Sequence, residues 1–139
     1  MIAQTTTYAI GTTVPLEYED ALARTRDALA REGFGVLTEI DVRSTMKKKL
    51  DVDFRPYTIL GACNPSLAYQ ALNTELDIGL LLPCNVVVYA GERPGTAVIA
   101  AMDPVTALAL TGNEAMRPIA EKVRARLERA LAQVAAPLE

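Results

Sequence analysis

The residues best suited to chemistry lie in two short motifs, Cys63-Asn64-Pro65 and Pro83-Cys84-Asn85, which hold both cysteines of the 139-residue chain. A thiolate is a nucleophile and a ligand for soft metals such as Cu(I) or Zn²⁺, and a facing pair can form a reversible disulfide. In the redox version Cys63 is the attacking sulfur, because the dipole of a helix opening at Pro65 lowers its thiol pKa. The Cys-x-x-Cys spacing of thioredoxin-like sites is missing. A metal reading would use Cys63 and Cys84, with Asp103 as a further ligand, but structural zinc takes four ligands and the chain contains no histidine. The plain alternative is that both are small core thiols. A third reading sets Asn64 beside a helix N-terminus with Asn85 and Asp103 nearby, a polar pocket for a small anion or metabolite. Against it, Asn64 would merely cap the helix, Asn85 satisfy a strand end and Asp103 accept loop amides. Glu39 and Asp41, two residues apart on one strand face, form a fourth candidate as paired carboxylates whose pKa values push apart. Salt bridging to Lys47, Lys48 and Lys49 is the ordinary reading of that pair.

These residues are positioned by elements legible in the chain. A Thr-rich strand spans Gln4–Ile10 and ends at Gly11, with its Thr side chains toward solvent. Pro15 opens a helix with acidic residues in its first turn, an apolar stripe of Leu16, Leu22, Thr25, Ala28 and Leu29, and a stop at Gly33. Phe34–Asp41 alternates as a strand, with Phe34, Val36, Thr38 and Ile40 on one face. Arg43–Asp53 holds a short basic helix. Tyr57–Cys63 is the third strand, and Asn64 caps a helix over Pro65–Glu75. Ile78–Leu82 is a loop or last turn. Asn85–Tyr89, β-branched and uniformly apolar, is a central strand, joined through the turn Gly91–Gly95 to a strand at Thr96–Met102. Asp103-Pro104 ends that strand. The last helix, from about Asn113 to Val134, stacks Met116, Ile119, Ala120, Val123, Leu127, Ala130, Leu131 and Val134 on one face before Pro137.

This order specifies an α+β fold: a single antiparallel five-stranded sheet with helices packed on one face. Because consecutive strands tend to be neighbours, the ends of the third and fifth strands meet the start of the fourth on one rim. Cys63, Asn64, Pro65, Pro83, Cys84, Asn85, Asp103 and Pro104 then converge.

Length gives one domain over residues 1–139. Aromatics are 5% and tryptophan is absent, so aliphatic side chains fill the core. A net charge of −3 and a basic run no longer than Lys47-Lys48-Lys49 argue against nucleic-acid binding. No apolar run reaches the roughly 20 residues of a membrane helix, and Met-Ile-Ala-Gln-Thr-Thr-Thr carries no secretory signal. The expected compartment is the cytoplasm, with both cysteines as thiols.

Three segments carry a family resemblance: Phe34-Gly-Val-Leu-Thr-Glu-Ile-Asp41, Leu60-Gly-Ala-Cys-Asn-Pro65 and Leu80-Leu-Leu-Pro-Cys-Asn-Val-Val-Val88. From about Tyr8 to Arg129 the chain resembles the family catalogued as Domain of Unknown Function 302. That resemblance implies a compact β-α-β4-α domain similar to the TATA-binding-protein fold, and a homodimer. It implies no established reaction, cofactor or DNA binding, and fold likeness alone transfers no TATA-protein function.

The combined expectation is a homodimer that binds a small molecule or an anion at a rim site of Cys63, Asn64, Cys84, Asn85, Asp103 and Glu39. The alternatives are a thiol redox or soft-metal protein using Cys63 and Cys84, and a protein-interaction module without a small ligand. Neither a reaction nor a cofactor is specified.

Overall fold

The computed structural model describes residues 6–136. Strands β1 (Ala9–Val14), β2 (Gly35–Asp41), β3 (Tyr57–Cys63), β4 (Cys84–Ala90) and β5 (Ala97–Met102) form one antiparallel sheet in the order β1-β5-β4-β3-β2. Helices are α1 (Tyr18–Arg31), α2 (Val42–Leu50), α3 (Pro65–Thr74), α4 (Pro104–Leu108) and α5 (Met116–Ala135), with 3₁₀ turns at Leu76–Leu81 and Ala109–Thr111. The architecture is the α+β class that the chain order specifies.

Alternation sets the two faces. Ile10, Ala101, Val86 and Leu60 lie in one row across four strands and are buried under α1 and α5. All eight stripe residues of α5 are buried, from Met116 to Val134. In α1 the buried set is Ala21, Leu22, Thr25, Ala28 and Leu29, and Gly33, at φ 84°, turns the chain out of the helix as its C′ residue. The next row, Gly11, Ala100, Val87, Ile59 and Ile40, faces the other way, where no long helix packs.

Four local expectations shift. The first strand runs Ala9–Val14, continuing through Gly11 in register with Ala100; Gln4 and Thr5 lie outside the described residues, as does Pro137. Helix α1 begins at Tyr18 with Glu17 as its N-cap residue, three positions after Pro15. In β2 a bulge between Val36 and Thr38 breaks the alternation, so Val36 faces the helices while Thr38 and Ile40 face the open side. Met102 is followed at once by α4, because Asp103 caps a helix that Pro104 opens.

Candidate functional site

The same local device is used twice on one rim: a strand end, a capping side chain, then proline. Asn64 Oδ1 accepts the Leu67 N–H at 3.3 Å and starts α3 directly after β3. Asp103 Oδ1 accepts the Val105 N–H at 2.9 Å and starts α4 directly after β5. Between these two strands β4 begins at Cys84, preceded by a cis Leu82–Pro83 peptide. The rim therefore gathers Cys63, Asn64, Pro83, Cys84, Asp103 and Pro104 from three strand ends.

Behind the rim lies a cavity of about 270 Å³. It is bounded by the sheet end at Ala62 and Cys84, by α3 at Leu67, and by α5 at Ile119 and Val123. It exists because small residues face one another there: Ala62 on the sheet, Ala68 and Ala71 on α3, and Gly79 in the following turn. Larger side chains at those positions would fill the space to normal interior density. On the opposite face of the sheet Gly61 leaves no room for a side chain, since a Cβ there would meet the Thr38 hydroxyl and come within 2.9 Å of Pro83 Cγ.

Three of the six candidate residues line the cavity: Cys63, Asn64 and Cys84. The other three do not. Asn85 is exposed on the open face of the sheet. Asp103 is on the rim, but its carboxylate is buried and held by Arg124, whose Nη1 is 3.0 Å from Oδ2, as well as by the α4 cap. Glu39 sits on the edge strand β2, where Arg26 donates to both its oxygens at 3.1 and 2.5 Å. Its neighbour Asp41 points to the same face but caps α2 through the Ser44 N–H at 2.9 Å. The two carboxylates thus have separate structural partners, and neither partner is a lysine. Lys47 instead pairs with Asp51 at 3.0 Å. Tyr57 and Tyr89 are half-buried and stacked at 5.1 Å, whereas Tyr69 is 69% exposed.

Cys63 and Cys84 are both free thiols on adjacent strands. Cys84 is level with Ala62, so the two cysteines are one residue out of register and belong to opposite sides of the pleat. Burial, with Cys63 beside it, pushes the Cys84 thiol up to about 11, and at neutral pH it is an uncharged part of the wall. Among the described residues no group of three or more His, Cys, Asp or Glu side chains is placed to hold a metal ion. Iodoacetamide at about pH 8 is therefore expected to alkylate Cys63 in the folded protein and spare Cys84, as read by peptide mass spectrometry. Equal labelling would show that Cys84 is open to solvent. The folded state binds the Cys84 proton more tightly than the unfolded chain does. Its stabilising contribution is thus complete below the ordinary value of 9.0 and is lost as pH rises toward about 11.

The sequence motifs led to the rim but not to most of the cavity wall. Phe34, Leu67, Ala71, Ile119 and Val123 belong to elements far apart in the chain. The one signal for them was the pair of alanines, Ala68 and Ala71, on the inner side of a helix whose neighbours are leucines.

The family description "Domain of unknown function DUF302" matches residues 10–134. The fold is similar to that of a solved structure described as an uncharacterized conserved protein DUF302 from Bacillus stearothermophilus, with a TM-score of 0.84 and 31% sequence identity. That alignment covers 93% of this chain and 99% of the other. No curated protein matches the chain. Among the described residues no helix is long and apolar enough to cross a membrane. With the match extending from β1 to the last turns of α5, and the two folds superposing along nearly their whole lengths, the chain belongs to the DUF302 family.

Proposed function

We propose that this domain is a small-molecule-binding protein whose ligand occupies the cavity behind the two Cys-Asn motifs. The observation that carries the reading is the cavity itself, about 270 Å³ and bordered by Cys63, Asn64 and Cys84. Ligand sites are typically concave, mostly apolar and supplied with few polar groups. An apolar concavity of this size beside two helix starts has the form such ligand sites take. Filling it tests the reading. Ala68→Phe, at a half-buried position of α3 that lines the cavity, places a ring in it. The variant is expected to keep the wild-type circular dichroism spectrum and to lose the thermal stabilisation given by whichever small molecules stabilise the wild type in a screen. Stabilisation that survives Ala68→Phe unchanged would place binding elsewhere.

The second reading concerns assembly, and a different observation favours it. On the face of the sheet turned away from α1 and α5, Val98, Ala100, Val87, Tyr89, Ile59 and Ile40 lie side by side, and no strand residue pointing that way is charged. Five strands about 4.8 Å apart and about 20 Å long give a face of roughly 500 Å² in projection, more once side-chain relief is counted. A standard interface takes about 800 Å² of accessible surface from each partner. Arg55 lies over the Tyr89 ring, 6.0 Å from its centroid, at one border of this face, and the apolar remainder suits packing against a second copy of this chain about a two-fold axis. We place this homodimer in the cytoplasm, with Cys63 and Cys84 reduced. The thiol-redox and soft-metal alternatives draw no support from the offset register of the cysteines or the raised Cys84 pKa.

A further inference from the structure

The chemistry of the cavity wall narrows the class of ligand, on the reading that the cavity is the binding site. No charged side chain lines it, and besides the two thiols its polar side chain is Asn64, whose Oδ1 already accepts the Leu67 N–H. Cations close to the rim are engaged elsewhere: Arg124 pairs with Asp103 at 3.0 Å, and Arg126 donates to the Glu32 carbonyl at 3.2 Å. The lip is apolar as well. Leu37, at the β2 bulge, is 65% exposed and lines the cavity together with Gly79. Leu76 and Leu80, in the same 3₁₀ turn as Gly79, are 84% and 86% exposed. A carboxylate, phosphate or ammonium group entering this site would lose water and gain neither an opposite charge nor a set of donors, a strongly unfavourable exchange.

We propose that the ligand is an uncharged, chiefly hydrocarbon molecule taken whole into the cavity. Its size follows from the volume. An apolar cavity of about 150 Å³ stays dry and admits benzene, so 270 Å³ accommodates a bicyclic aromatic or a medium-length aliphatic alcohol. The neutral Cys84 thiol is consistent with such a guest, because an uncharged sulfur packs as a small hydrophobe.

The matched probes 1-octanol and octanoate share a chain length and differ in charge at about pH 7.5. At roughly ten times its Kd, 1-octanol is expected to raise the Tm by about 3–5 °C, and octanoate to bind at least about a hundredfold more weakly by isothermal titration. Ala68→Phe should abolish the octanol effect. If octanoate binds as tightly as the alcohol, its head group is accommodated and the uncharged-ligand inference is overturned, while the cavity remains the binding site. If neither probe binds, the hydrocarbon-ligand inference is overturned while the screen still tests the cavity; if octanol stabilises Ala68→Phe as well as the wild type, the cavity reading itself fails and this inference falls with it.

Discussion

Asp103→Ala is expected to destabilise the domain by about 2–3 kcal/mol, read as a lower urea midpoint at unchanged m. The carboxylate does two things at once. It caps α4 through the Val105 N–H, and caps of this kind are worth about 1 kcal/mol. It also holds Arg124 from a nearly fully buried position, and a hydrogen bond to a charged group contributes about 1.5–3 kcal/mol. Arg124 is 38% exposed and has Glu128 within 3.7 Å, so solvent and a second carboxylate recover part of that pair and the lower half of the range applies. Asp103→Asn separates the two roles. It keeps an acceptor for the cap and the side-chain volume, and loses the charge alone, so its expected cost is about 1 kcal/mol. Equal losses for Ala and Asn would mean that the ion pair carries the whole effect and the cap none. Since the Asp103 carboxylate does not line the cavity, any change in ligand affinity in the Asn variant should be small.

Val87→Lys is expected to convert the proposed homodimer into a monomer, raising the dimer dissociation constant at least about a hundredfold. Val87 lies on the middle strand of five, in register with Ile59 on one side and Ala100 on the other, at the centre of the apolar part of the face. In the separate chain this position is half-buried, and a lysine can lay its stem along the sheet and keep its ammonium in water. In a face-to-face pair two such ammonium groups would be brought together near the symmetry axis without a counter-charge. Sedimentation velocity across concentration reads the outcome, with circular dichroism confirming the fold. A wild-type protein that stays monomeric at high concentration would refute the homodimer, and a Val87→Lys protein that stays dimeric would move the interface to another surface.

The large elements were legible because their physics is local. The α5 stripe repeats at helical spacing over eight buried positions, and β4 is too uniformly apolar to be anything but central. The convergence of the rim needed only strand alternation. Where expectation and structure part, a single residue usually decides. Gly11 reads as a terminator but lies inside β1, opposite Ala100. Pro15 reads as a helix opener but precedes the Glu17 cap. The extra residue at Leu37 reverses the facing of everything after it in β2, and a bulge has no signature in an alternating pattern. The cavity was illegible for a different reason. It is the absence of atoms between Ala62, Ala68 and Ala71, and no single segment records what its distant neighbours fail to fill. The polar residues that suggested an anion site, Asn64 and Asp103, prove to be occupied in starting helices.

The bulge in β2 also bears on what the sheet refuses to do. β2 is an outer strand, and its irregular spacing at Leu37, followed by ionised side chains at Glu39 and Asp41, spoils the evenly spaced row of backbone donors and acceptors that an incoming chain would need as a template. Lateral growth into fibrils is thereby disfavoured on that flank.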